Sequence, residues 1–458
     1  MIYFVILLFI VGYLAITLEH PLKLDKAVSA LLMATIIWAL IALGFNQGWI
    51  SVVDSHGELL NIFQGEKVSQ NLGFRQVLMH HFSTVGEILF FLIGAMTIVE
   101  IIDLHRGFDI IKNNISTKSK IGLLWKLGIL AFFLSAVIDN LTTTIIIISV
   151  LRKLVPRVQF RIWYASLIVI AANAGGAWSP IGDVTTTMLW IGGKISATNV
   201  ILYVILPSII CFIVPFFIAS RLKAFKGEVP RKKMVIDEES ERLLSSKTML
   251  NVGLGAIAFV PVFKGITGLP PYMGMMFSLG VVWLVSEYVK PEKNISKAKR
   301  REYSTHKALS RIEFSSILFF LGILLAVAGL ESMVFGKMDG QSVGTLRYAA
   351  ESLTLAIPNM NIIVVLLGVL SAVIDNVPLV AAAMAMFDFP TDSFVWHFIA
   401  YTAGTGGSML IIGSAAGVAA MGMEKINFIW YLKNITLLAL AGYIAGALSF
   451  ILLEVIFL

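Results

Sequence analysis

Ser135-Ala136-Val137-Ile138-Asp139-Asn140 recurs unchanged, 236 positions later, as Ser371-Ala372-Val373-Ile374-Asp375-Asn376. Each copy places an aspartate and an asparagine in the middle of an apolar stretch, at 121–152 and at 360–388. Flanking matches keep the same order at similar offsets. Ile88-Leu89-Phe90-Phe91 returns as Ile317-Leu318-Phe319-Phe320, and Gly175-Gly176 with Ile181-Gly182 returns as Gly406-Gly407 with Ile412-Gly413. Three ordered matches point to a duplicated chain.

The surroundings of these copies are lipid-like. Of 458 residues 58% are apolar and 14% charged, with mean hydropathy +0.87. Soluble domains are nearer half apolar and a quarter charged. Full-length spans are predicted near 2–18, 27–44, 85–102, 200–220, 248–266, 272–290, 312–331 and 434–457, each close to the ~20 residues a helix needs to cross a bilayer. The first of them lacks a basic leader, and Glu19-His20-Pro21 is no cleavage site, so it reads as a retained helix. Two further regions, 162–192 and 396–423, are long enough to cross but broken by glycine, serine and proline.

Loop charge arbitrates the topology. If both Asp-Asn segments are re-entrant hairpins, one side of the membrane carries 28 of the 35 Lys and Arg residues. The positive-inside rule then places that side in the cytoplasm and both termini outside. An ordinary span at either segment would scatter those charges. The net charge of +7 is thereby a topology signal and calls for no nucleic acid. The His80-His81 pair is assigned to a wet loop, and Asp237 to Glu241 to a solvated linker face. The single cysteine, Cys211, permits no internal disulfide and no thiol cluster.

The expected fold is therefore an all-α polytopic membrane protein of two inverted-topology repeats, 1–225 and 248–458, joined by a cytoplasmic linker at 226–247. It has about ten spans, two re-entrant hairpins and two broken helices. Five crossings per repeat is an odd number, so the second copy enters upside down. One hairpin then carries Asp139 in from the cytoplasm and the other carries Asp375 in from outside. Unwound backbone at membrane depth survives only where protein or a wet cavity satisfies it, and inverted repeats with broken helices hold substrate near the midplane.

The chemistry gathers at those interruptions. An aspartate at mid-membrane costs roughly 2.5–3.5 kcal/mol on insertion scales, and Asp139, Asp183 and Asp375 all sit at breaks. Thr142, Thr143, Thr185 and Thr186 add hydroxyls beside the first two. Hard oxygen donors suit Na⁺ or Li⁺. Burial favours a protonated carboxyl and a bound cation favours the anion, so one group can hold either and couple their movement. No P-loop pattern offers nucleotide drive, and neither an enzyme activity nor a cofactor is expected. An intramembrane aspartyl protease would use Asp139 and Asp375, but its Gly-x-Gly-Asp pattern is missing. Glu100 closes the third predicted span as a snorkelling side chain or a proton relay.

Ser-Ala-Val-Ile-Asp-Asn followed by Leu-Thr-Thr-Thr, Asn173 ahead of Ser-Pro-Ile-Gly-Asp-Val-Thr-Thr, and the second Asp-Asn resemble NhaD-type sodium/proton antiporters of the ion transporter superfamily. The resemblance covers nearly the whole chain. It implies Na⁺ or Li⁺ extrusion in exchange for protons across a bacterial inner membrane, by an elevator-like homodimer. Carried over by motif, the ion- and proton-binding positions are Asp139, Asn140, Thr142, Thr143, Asn173, Asp183, Thr185, Thr186, Ser371, Asp375 and Asn376, with Na⁺ at Asp139, Asn140, Asn173 and Asp183. Ser408, Ser414 and Glu100 are further candidates. Dicarboxylate relatives carry Ser-Asn-Thr at their hairpin tips. Aspartate in place of that serine would repel a carboxylate, which favours cation exchange over the alternative of a Na⁺-coupled dicarboxylate or arsenite carrier.

Overall fold

Apolar composition and the lack of lipid hydrogen-bond partners force the backbone into helices, and the computed structural model is helical nearly throughout. It describes residues 1–54, 58–63, 67–112, 117, 119–229, 243–291, 302–338 and 341–457. The proposed linker face at Asp237 to Glu241 lies outside the described residues. Among them, six helices are long and apolar enough to cross a membrane: Lys26–Asn46, Ser69–Leu104, Ala197–Ser220, Ser246–Thr267, Phe314–Ser332 and Thr436–Ile456. Ile2–Thr17 and Pro271–Tyr288 complete the predicted unbroken set.

One prediction is corrected here. The span expected at 85–102 is the end of a 38-residue helix, Lys67–Leu104, so His80 and His81 are helical and lie in no loop. The His81 ring reaches Ser332 Oγ at 3.1 Å and lies 6.2 Å from the Trp38 ring. A helix tolerates this polar pair because His81 finds a partner and His80 is exposed, which hydropathy does not register.

The chain forms two compact units. The first takes 1–90, 313–363 and 377–390, and the second 91–312, 364–376 and 391–458. In the first, helix Lys26–Asn46 packs along Phe314–Ser332, with Trp38 Nε1 donating to Leu325 O at 2.8 Å. Gly322 permits that approach, since a Cβ there would stand 2.6 Å from the Ala30 carbonyl carbon. Two short antiparallel ribbons, Val52–Val53 with Leu59–Leu60 and Val334–Met338 with Gln341–Gly344, complete this unit.

In the second unit, helix Val158–Ala177 forms the centre, with every residue from Tyr164 to Ala177 buried. Helix Ala197–Ser220 packs along Thr436–Phe457. Pro215 removes the amide that would bond Cys211 O, and Gly442 lets the neighbouring helix come close to that freed carbonyl. Small residues that bring backbones together are the usual device for packing helices in lipid.

The imidazole of His105, just past helix Lys67–Leu104, is buried, with Nδ1 2.8 Å from Ser245 Oγ. Burial pushes its pKa down to about 4, against a smaller upward pull from the Tyr303 backbone. The unfolded chain, titrating near 6.5, takes up this proton first. Stability is therefore fully present above about pH 6.5 and is lost as pH falls toward 4. Thermal melting of detergent-solubilised protein is expected to show that loss between pH 7 and pH 5, and a reduced loss in His105→Gln.

Candidate functional site at two hairpin tips and two helix breaks

The first Asp-Asn segment forms a hairpin as predicted. Helix Lys120–Ser135 ends, residues 136–139 turn, and helix Asn140–Leu154 begins. Asp139 starts the second arm because a carboxylate satisfies amides that a helix N-terminus leaves bare. Its Oδ1 accepts from Thr142 N and its Oδ2 from Thr142 Oγ1, both at 2.7 Å. The second segment repeats the pattern: helix Met360–Leu370 ends, and Asn376–Met386 begins directly after Asp375.

Both predicted broken helices are also present. Val158–Ala177 stops, residues 178–183 run irregularly, and Val184–Ile191 resumes. Phe394–Gly406 stops and Ala415–Glu424 resumes after 407–414. Both interruptions are mostly buried, with Trp178, Ile181, Leu410 and Ile412 half-buried, and hydroxyl groups meet several of their carbonyls. Thr187 Oγ1 donates to Pro180 O at 3.0 Å and Thr186 Oγ1 to Asp183 O at 2.9 Å. In the second break, Tyr431 OH donates to Ser408 O and Thr436 Oγ1 to Met409 O, each at 2.7 Å.

Close backbone approach joins each hairpin to its break. Any Cβ on Gly175 would overlap Phe132 O, and any Cβ on Gly406 would overlap Gly368 O. These are equivalent contacts under the offsets of the internal repeat. Ser135 Oγ donates to Ala172 O at 2.7 Å, and Ser371 Oγ likewise donates to Ala403 O at 3.0 Å. Gly176 and Gly407 face the carbonyls of Gly182 and Gly413, each 2.6 Å from a built Cβ. The repeated letters thus encode repeated contacts.

The side chains then converge. Asn140 Nδ2 donates to Asn173 Oδ1 at 3.0 Å. Asn173 Nδ2 in turn donates to Ser408 Oγ at 2.9 Å and Ser414 Oγ at 3.0 Å. One amide therefore ties the first hairpin tip, the first broken helix and the second break. Ser371 Oγ donates to Asn376 Oδ1 at 2.6 Å. Asp183 is buried, and its Oδ2 accepts from Thr185 Oγ1 at 2.7 Å. Asp375 is half-buried at the tip of the second hairpin. Thr143 Oγ1 is buried beside the first tip with no hydrogen-bond partner among the described residues.

Not every candidate joins this cluster through a hydrogen bond. Asp139 and Thr142 are engaged with one another. Thr186 holds the backbone of its own break. Glu100 lies at the end of Lys67–Leu104, where Arg311 Nε stands 3.1 Å from its Oε2 and Arg311 Nη2 binds Asp103 at 3.0 Å. Gly404, legible in the sequence as part of the second glycine-rich break, lies beside Asp183 and Ala177, the place that the 231-residue offset from Asn173 gives it. Tyr431 and Thr436 carry no signal in the sequence.

Chemically, the site offers carboxylate, amide and hydroxyl oxygens beside the C-terminal carbonyl ends of two half-helices. Those ends carry partial negative charge and suit a small cation.

Helix breaks facing hairpin tips inside a bundle of apolar spans define a multi-pass membrane transporter. The chain matches the family described as the citrate transporters, CitMHS, over residues 5–397 and belongs to it. Within that family it stands with the sodium/proton antiporters. It is 45% identical to sodium/proton antiporter 1 of Arabidopsis thaliana, over 97% of this chain and 71% of that protein. It is 31% identical to the Na⁺/H⁺ antiporter NhaD of Alkalimonas amylolytica, over 96% and 88%, and 31% identical to the NhaD of Vibrio cholerae, over 99% and 92%. Its fold is like that of the YdaH transporter of Alcanivorax borkumensis, with TM-score 0.58, 12% identity, and 93% and 97% of the two chains covered.

Proposed function

We propose that this chain is a secondary Na⁺(Li⁺)/H⁺ antiporter in which Asp183 is the exchanging carboxylate. The carrying observation is that Asp183 is buried at the first helix break and that, among the described residues, its one side-chain hydrogen bond comes from the Thr185 hydroxyl. Asn140, Asn173, Ser408 and Ser414 hold the surrounding backbone in register, and Asp139 with Thr142 fixes the first hairpin tip. Cation entry displaces a proton from Asp183, and reprotonation expels the cation. The identity to named sodium/proton antiporters supports cation exchange over the anion-carrier reading, as do carboxylates where an anion would have to sit.

On this reading the chain comprises two inverted repeats, 1–225 and 248–458, joined at 226–247. The repeated hydrogen bonds and glycine contacts support that duplication. Each compact unit also draws residues from both halves, as interlocked repeats would. Loop charge supports termini outside the membrane, and homodimeric, elevator-like movement is the corresponding expectation. The placement in a bacterial inner membrane rests on resemblance, and plant relatives at 42–45% identity show that similar chains are not confined to bacteria.

The test is proton movement in everted vesicles followed with a quenched pH-sensitive dye. Dequenching on addition of Na⁺ or Li⁺ is expected. Silence to all alkali cations, with a response to citrate or another carboxylate, would replace the proposal with anion transport.

A further inference from the structure

We infer that Asp392 is a positioning residue for cation exchange, clamping the far end of the half-helix that Asp183 begins. This rests on the antiport reading above and deepens it.

Each broken helix is bonded at its start to the end of the other, so the two run antiparallel. Arg161, near the start of Val158–Ala177, binds Glu424, the last residue of Ala415–Glu424, at 2.8 Å. The internal offset of 231 takes Arg161 to Asp392, and takes Glu424 back to Gly193. The contacts obey the same correspondence. Asp392, just before Phe394–Gly406, donates its amide to Lys194 O at 2.9 Å, and its Oδ1 accepts from Ser196 N at 2.6 Å. Thr391 Oγ1 donates to Gly193 O at 2.7 Å. An ion pair at one end is thus matched by a carboxylate on backbone at the other.

The second clamp is built for its place. Asp392 holds φ +62°, a left-handed backbone that glycine, asparagine and aspartate adopt more readily than other residues. Fully buried His397 stands behind it, with Nε2 3.4 Å from the same Oδ1. Lys194 Nζ lies over the Trp396 ring, 5.0 Å from its centroid. The clamped turn is tied to its own helix as well. Gly192 N and Lys194 N bond back to Met188 O and Leu189 O at 2.8 and 2.9 Å. Helix Val184–Ile191 has only eight residues, about 12 Å of length. Fixing its end therefore fixes how Asp183, at its start, meets a cation. Groups that orient a ligand without touching the ion commonly change affinity 10-fold or more.

In everted vesicles, Asp392→Gly is expected to raise the half-saturating Na⁺ concentration roughly 10-fold, with the maximal rate little changed. Glycine accepts the left-handed backbone, so the loss is that of the carboxylate alone. Asp392→Asn also tolerates that backbone and keeps an oxygen for Ser196 N, so it should recover most of the affinity. An unchanged Na⁺ requirement in Asp392→Gly, even with a lowered melting midpoint, would overturn the inference. Equal loss in the asparagine variant would do the same. Should Asp392→Gly fail to insert, Thr391→Val decides. Deleting that one hydroxyl bond should raise the Na⁺ requirement about 3-fold, and no change counts against the inference. Wild-type silence to Na⁺ and Li⁺ would instead remove the antiport reading itself.

Discussion

Asp183→Asn should abolish cation-driven proton movement while leaving a folded, inserted protein. Asparagine matches the shape of aspartate and keeps an oxygen for the Thr185 hydroxyl, which now binds at 2.7 Å. What it loses is the charge. At an effective dielectric of about 20, a charge pair ~3 Å apart is worth roughly 5 kcal/mol. Half of that already corresponds to about 60-fold in affinity. Asparagine also cannot carry the exchanged proton, so raising Na⁺ should not rescue the rate. Dye dequenching in vesicles reads the loss, and thermal melting in detergent reads the fold. Asp139→Asn supplies the contrast. Asparagine is itself a good helix N-cap, so the hairpin tip survives and exchange should persist with a weaker apparent affinity. Equal inactivity of the two variants, both folded, would move the exchange centre to the hairpin tip.

That contrast was not available from residue letters. Asp139 and Asp183 read alike in sequence: aspartates at interruptions of apolar runs, each followed by threonines, whereas Asp375 is followed by Pro378 and Leu379. The structure separates them by partners. Asp139 has both oxygens engaged by Thr142, whereas Asp183 makes no tight cap bond and instead meets Thr185. The hairpins and breaks were legible because glycine, proline and Asp-Asn interrupt a strong apolar signal, and the duplication locates them twice. The start of helix Lys67–Leu104 was not. Its first half is polar, and partners such as Ser332 for His81 make that tolerable only in three dimensions. Phe314–Ser332, by contrast, was placed within two residues, because its composition alone settles it.

The second large effect lies away from the carboxylates, at Glu424, and it too was invisible to pattern. Loop charge counted Arg152 and Arg161 only as cytoplasmic markers, but the structure gives them a partner. Glu424 is fully buried at the end of helix Ala415–Glu424, with Oε1 2.7 Å from Arg152 Nε and Oε2 2.8 Å from Arg161 Nε. A carboxylate at a helix C-terminus faces the negative end of the macrodipole, so it needs both cations. Arg161 Nη1 further donates to Pro156 O at 2.9 Å, closing the loop between the hairpin and helix Val158–Ala177. The cluster thereby clamps the second arm of the first hairpin to the second broken helix. Removing one partner of a buried pair typically costs ~3–5 kcal/mol, because the other charge is left stranded. Glu424→Ala should therefore destabilise by about 3 kcal/mol, read as a lowered midpoint in denaturant unfolding of the solubilised protein. Arg161 keeps 15% of its side chain exposed and Arg152 44%, so water can take over more of the Arg152 charge. Arg161→Ala should accordingly cost more than Arg152→Ala. Because Arg161 shares helix Val158–Ala177 with Asn173, and Glu424 ends the helix that Ser414 caps, a surviving Glu424→Ala protein should also need more Na⁺ for half-maximal exchange. Unchanged unfolding in Glu424→Ala, or a larger loss at Arg152 than at Arg161, would show that the buried carboxylate is not what holds these elements together.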